Sequence, residues 1–159
     1  MHPNEQLINK FYSSFQKRDH AGMNECYHPN AEFTDEAFVG LKGKEVHAMW
    51  HMLCERAKDF DMTFSHVQAD DRKGSANWEA RYTFRLTGRP VHNVIKASFE
   101  FQDGKIIRHR DTFDFYKWAR MAFGMKGVLL GATPFFKKAV QRKVQITLQE
   151  FMQAKKYNG

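Results

Sequence analysis

The chain has 159 residues, 42% hydrophobic and 14% aromatic, with two cysteines and a formal net charge of +7. This suits one well-buried domain; no apolar run approaches the roughly 18 residues of a membrane span, and the polar stretch from Met1 to His20 reads as no signal peptide. Cys26 and Cys54 lack the spacing of a zinc site or a disulfide framework, so the expected compartment is reducing and the expected location cytoplasmic.

EQLINKFYSSFQK, residues 5–17, spaces Leu7, Ile8, Phe11 and Phe15 three and four apart and predicts an amphipathic helix. A short helix over about 21–27 follows, ended by HPN. AEFTDEAF, residues 31–38, alternates and predicts a strand with Phe33 and Asp35 on one face. VGLKGKE reads as a turn that opens a helix over 44–58, with Val46, Met49, Trp50, Leu53 and Ala57 as its buried stripe.

The period then changes to two. DMTFSHVQAD, SANWEARYTFRLTG, VHNVIKASFEFQ and KIIRHRDTFDFYKW predict four strands in an antiparallel meander, joined at DDRKG, TGRP and QDGK. One face of the second carries Trp78, Ala80, Tyr82, Phe84 and Leu86; the reverse carries Glu79, Arg81, Thr83 and Arg85. In the last, alternation from Arg108 to Trp118 places Asp111 beside His109, Phe113 and Phe115, a carboxylate on an aromatic face. Helices followed by a long curved antiparallel sheet make an α+β layout, with the helices covering one sheet face.

Beyond it, GMKGVLLGATPFF leads into a helix with Thr133 as N-cap and Pro134 at its first position. Phe136, Val140, Val144, Leu148 and Phe151 form its apolar stripe, opposed by Lys137, Lys138, Arg142 and Lys143. From Lys117 onward nine Lys and Arg stand against the single acid Glu150, a balance of +8, so the residues before it sum to −1. The basicity belongs to the C-terminal stretch, and no nucleic-acid partner is expected. That stretch suits a packed helix with a solvated cationic face, a cap over the domain, a dimer interface, or peripheral contact with an anionic membrane.

This order of elements, with HPNAEFTDEAF…G after two helices and DGKIIRHRDTFD closing the sheet, resembles the nuclear transport factor 2-like fold and its SnoaL-like branch, over about Asn4 to Trp118. The resemblance implies a sheet wrapped around the N-terminal helices into a cone with an apolar pocket, and a homodimer formed through the sheet. Residues 1–118 are then the SnoaL-like domain, and 119–159 a basic amphipathic C-terminal helical extension. Similarity to ketosteroid isomerases places their proton-abstracting acid at Asp35, while their two oxyanion donors fall on Phe11, with Tyr12 one step off the face, and on Ala97. Similarity to limonene epoxide hydrolases and to polyketide cyclases places a catalytic acid at Asp111; the Arg and Asp that complete the hydrolase site are replaced by Glu79 and Arg81, on the face away from Trp78.

The candidate catalytic residues are therefore Asp111, Asp35 and His109. Phe11, Phe15, Trp50, Trp78, Tyr82, Phe99 and Phe113 are the candidate walls of a pocket for a small apolar or cyclic organic ligand. Each acid also has a structural reading: Asp111 as partner of His109, Arg108 or Arg110, and Asp35 as acceptor for the turn at Gly40 to Gly43. His47, His51 and Glu55 share a helix face but lack the zincin pattern and read as solvated, so no metal is expected, nor any cofactor. Enzyme and non-catalytic binder both stay open: acid/base chemistry of cyclase, isomerase or hydrolase type by Asp111 on one side, a ligand-binding or protein- or membrane-docking module on the other.

Overall fold

The computed structural model describes residues 1–157. Helix α1 (Pro3–Gln16) starts where Pro3 presets the first turn and His2 caps it, its Nδ1 accepting from the Asn4 N–H at 3.0 Å. Ile8, Phe11, Tyr12 and Phe15 form its buried face. Helix α2 (His20–Asn24) is capped by Asp19, and strand β1 (Tyr27–Thr34) follows. The strand thus begins four residues earlier than its alternation suggested and takes in HPN. Proline is tolerated there because the pairing register shifts between Tyr27 and Glu32, so the missing N–H interrupts no ladder bond. The segment DEAF is a turn: the Asp35 carboxylate accepts from the Ala37 and Phe38 N–H groups at 2.7 and 2.6 Å.

A two-residue strand, β2 (Leu41–Lys42), pairs back on β1 before helix α3 (Lys44–Arg56), whose Val46, Met49 and Trp50 are buried. Strands β3 (Asp61–Ala69), β4 (Lys73–Phe84), β5 (Arg89–Gln102) and β6 (Lys105–Thr112) form the meander. The sheet order is β2-β1-β6-β5-β4-β3. All pairings are antiparallel except β1 with β6, so the sheet is mixed rather than purely antiparallel. Register shifts in β3 and in the β5–β6 pairing add bends to the sheet, which curves around α1 and α3.

The last strand stops at Thr112, because Asp114 accepts from the Lys117 N–H at 3.0 Å and opens helix α4 (Phe115–Phe123). Phe113 and Phe115 therefore do not share a strand face with Asp111, and the boundary drawn at Trp118 falls inside a helix. Leu86, expected on the inner face, lies exposed in the turn after β4. Helix α5 (Met125–Leu130) and helix α6 (Pro134–Ala154) complete the chain, α6 with Thr133 as N-cap as its sequence predicts. Among the described residues, no helix is long and apolar enough to cross a membrane.

The apolar stripe of α6 is consumed by the fold. Leu148, Phe151 and Met152 belong to the main core with α1, α3 and the sheet, while Phe136 and Val140 join Val91, Phe115 and Trp118 in a second cluster. Polar ties reinforce this: Lys137 pairs with Glu36 at 2.5 Å, Lys155 with Glu55 at 3.1 Å, and the Tyr157 hydroxyl meets His51 Nδ1 at 2.7 Å. The C-terminal stretch thus packs as an integral layer against the domain.

Candidate active site

Alternation along β6 places His109 and Asp111 on the same inner face, where they are 1% and 2% exposed. His109 Nε2 lies 2.9 Å from Asp111 Oδ1, and His109 Nδ1 lies 2.7 Å from the Tyr27 hydroxyl. That hydroxyl accepts from the Trp50 indole N–H at 2.9 Å, and the Trp78 indole N–H donates to Asp111 Oδ1 at 3.4 Å. The donors fix the direction of the chain: Trp50 N–H to Tyr27 O, Tyr27 O–H to His109 Nδ1, and His109 Nε2–H to the carboxylate. In this tautomer both imidazole nitrogens and the Tyr27 hydroxyl are satisfied.

Aromatic rings enclose this chain. The His109 ring is 4.4 Å from Phe99, 4.9 Å from Phe33 and 5.6 Å from Phe11, centroid to centroid. Phe15 packs edge-on against both Trp50 and Trp78. All seven expected wall residues thus lie in or against this core, Phe11, Phe15, Trp50, Trp78 and Phe99 buried within it and Tyr82 and Phe113 packed against it. Phe113, beyond the end of β6, bridges the two apolar clusters. The protein's own rings occupy the interior; two surface depressions, about 430 and 340 Å³, lie around Arg81, Tyr82, Thr83 and His92 and around Glu55 and Arg85.

Tyr12, which helical spacing did not single out, lies beside this cluster. Its hydroxyl is buried and, among the described residues, has no hydrogen-bond partner. The ring lies beside Phe64, Trp78 and Phe99. Burial, and after it the nearby Asp111 charge, push its phenol well above the ordinary range, so it stays a donor. Spacing carried no signal for it: α1 lies against β3 and β4 while Trp50 of α3 packs on Phe11 and Phe15, so two adjacent positions of the helix both face inward.

Asp35 keeps some exposed surface, yet its carboxyl is pushed up to about 7 by burial, against the two backbone N–H bonds that lower it and with the Asp111 charge raising it further. Its charge in turn acts on Tyr82, whose hydroxyl accepts from the Trp118 indole N–H at 2.9 Å. Asp35, Asp111, Tyr12 and Tyr82 are thus electrostatically linked across the interior. Both hydrogen bonds to Asp111 go to Oδ1, and among the described residues Oδ2 has none.

Other candidates fall outside this region. Glu79 and Arg81 lie on the outer sheet face, 3.8 Å apart, with His92 3.3 Å from Glu79. His51 stacks on His20 at 3.9 Å and pairs with Glu55 at 3.2 Å near the surface.

The family profile of the SnoaL-like domain matches residues 8–109. No curated protein matches the sequence. Solved structures share the fold at low identity. A nuclear transport factor 2-like protein of unknown function from Burkholderia pseudomallei superposes with a TM-score of 0.66 at 16% identity, over 78% of this chain and 100% of its own. An LEH-like epoxide hydrolase from M. tuberculosis gives 0.62 at 18%, over 81% and 91%. A candidate SnoaL-like polyketide cyclase from Jannaschia sp. CCS1 gives 0.66 at 12%, over 77% and 92%.

Proposed function

The chain belongs to the SnoaL-like domain family, and we propose that it binds a small apolar or cyclic carbonyl compound and moves a proton on it, with Asp111 as the acid/base group. One observation carries this reading: the buried polar cluster does not close on itself. Structural polar networks in a core satisfy their members, whereas here, among the described residues, the Tyr12 hydroxyl is buried with no partner and Asp111 Oδ2 makes no hydrogen bond. An acceptor and a donor left open around one carboxylate are what enolisation uses. Asp111 takes the proton beside the carbonyl, the Tyr12 O–H donates to the oxygen as charge develops there, and Asp35, whose carboxyl sits near neutrality, returns a proton. His109 acts through Asp111 as a positioning residue. Polyketide cyclases of the same fold are consistent with this chemistry, and isomerisation or aldol closure both begin with such a step.

A second reading is favoured by the packing. The rings of Phe11, Trp78 and Phe99 fill the interior, so a ligand is admitted by displacing side chains. A non-catalytic binder of an apolar molecule, oriented by Asp111, would share that requirement. In either reading two copies pair across the outer sheet face, where exposed Val94 lies near Glu79, Arg81 and His92, and the protein works in the cytoplasm.

The test is deuterium wash-in. A panel of cyclic ketones and aromatic diketones is incubated with the protein in D2O and followed by NMR. Exchange at the carbon beside the carbonyl, lost in Asp111→Asn with melting unchanged, is the expected result. Ligand binding without exchange selects the non-catalytic reading; exchange retained in Asp111→Asn removes Asp111 from the chemistry.

A further inference from the structure

Ten large hydrophobic side chains are exposed among the described residues, and five of them, Met125, Val128, Leu129, Leu130 and Phe135, fall within residues 125–135. Leu129 is 71% and Phe135 78% exposed. This is an inverted amphipathic segment. Helix α5 turns glycine backbone toward the protein: a Cβ on Gly127 would sit 2.0 Å from the Ala119 carbonyl oxygen, and one on Gly131 would meet the Ala119 side chain at 2.9 Å. Its large apolar residues point away. The segment is also held firmly, since the Tyr116 hydroxyl donates to the Val128 carbonyl at 3.0 Å and Thr133 caps α6. A contiguous exposed apolar patch on a fixed scaffold marks an interaction surface.

Charge identifies the partner. Residues 115–149 contain no Asp or Glu. Of the seven cations from Lys117 to Lys143, only Lys137 forms an ion pair among the described residues. Lys117, Arg120, Lys126, Lys138, Arg142 and Lys143 are exposed. Two copies meeting through this face would bring like charges together, whereas an anionic bilayer offers a negative headgroup layer for the cations and an acyl boundary for the apolar tip. We propose that the segment from Met125 to Phe135 is a membrane-docking tip, inserted into an anionic lipid surface with the surrounding lysines and arginines at headgroup level. The apolar stripe of α6, buried in the fold, has no part in it.

The test is co-flotation of the full chain with phosphatidylcholine vesicles, with and without about one third phosphatidylserine. The expected result is binding to the mixed vesicles only, weakened by salt, and weakened at least about tenfold in the double variant Leu129→Ser, Phe135→Ser at unchanged melting temperature. Lys126→Glu with Lys138→Glu, which leaves the apolar tip in place, is expected to weaken binding as well. No binding to mixed vesicles, equal binding to both kinds, or full binding by the serine variant overturns the proposal. So does a dimer in solution that the serine variant splits, which would assign the patch to self-association.

Discussion

His109 and Asp111 stand two residues apart on one strand, joined at 2.9 Å, and both are almost fully buried. A carboxylate in a core of aromatic rings is tolerated because the imidazole meets it and because Tyr27 and Trp50 in turn fix the imidazole. The pair is therefore a unit. Replacing His109 with Leu strips Asp111 of its closest partner and should destabilise the protein by about 3–5 kcal/mol, as breaking buried pairs does. The double variant His109→Leu, Asp111→Leu removes both polar groups and should recover much of that loss. Urea melts of the singles and the double give the coupling; additive losses would show that the two residues do not depend on one another.

Tyr12 offers a separation of stability from chemistry. Among the described residues its buried hydroxyl has no partner, and an unsatisfied buried polar group costs about 1–3 kcal/mol. Tyr12→Phe keeps the ring against Phe64, Trp78 and Phe99 and should leave the protein as stable or more so. Proton exchange on a carbonyl ligand should fall at the same time, by about a hundredfold if the hydroxyl is an oxyanion donor. A stabilised variant with undiminished exchange would leave Tyr12 as packing alone.

Asp35 carries the pH dependence. Its carboxyl is raised from 3.8 to about 7 in the folded protein, chiefly by burial. Below the unfolded value both states hold the proton and there is no penalty. Between pH 4 and 7 the folded state keeps a proton that the unfolded chain releases, so this group lowers stability as pH rises, and the penalty is complete above 7. Asp35→Asn retains an oxygen for the Ala37 and Phe38 N–H groups and removes the titration. The Tm of the variant minus that of the unaltered protein should therefore increase from pH 4 to pH 8. A constant difference would mean that the carboxyl titrates normally.

The legible parts of the sequence were those governed by local rules. Period-two runs gave the meander, and Thr133 followed by Pro134 gave the start of α6. The parallel pairing of β1 with β6 joins residues more than 70 apart and leaves no local mark. RDTFDFYKW misled because two rules compete there: alternation continues past Thr112, but Asp114 caps a helix and wins. The placement of Asp111 beside His109 followed from strand periodicity, while its partner stayed open between His109, Arg108 and Arg110. The orphaned Tyr12 hydroxyl did not, because a helix enclosed on two sides buries more than one stripe.

Gly127 tests the geometry that holds the exposed tip. A methyl group there would approach the Ala119 carbonyl oxygen and carbon to 2.0 and 2.5 Å, backbone atoms that cannot turn aside. At Gly74, where α1 crosses the sheet, a methyl would meet Ile8 Cδ1 at 2.9 Å and the Phe101 ring at 3.0 Å, the movable ends of side chains. Both substitutions overpack, which typically costs about 1–3 kcal/mol. Gly127→Ala should lie at or above the upper end, because α5 must lift from α4, and Gly74→Ala near the lower end. Hydrogen exchange separates the two further: Gly127→Ala should expose amides in α4 and α5 while leaving β5 and β6 protected. Equal losses in melting, with protection in α4 unchanged, would mean that α5 is not seated on α4 through its glycines.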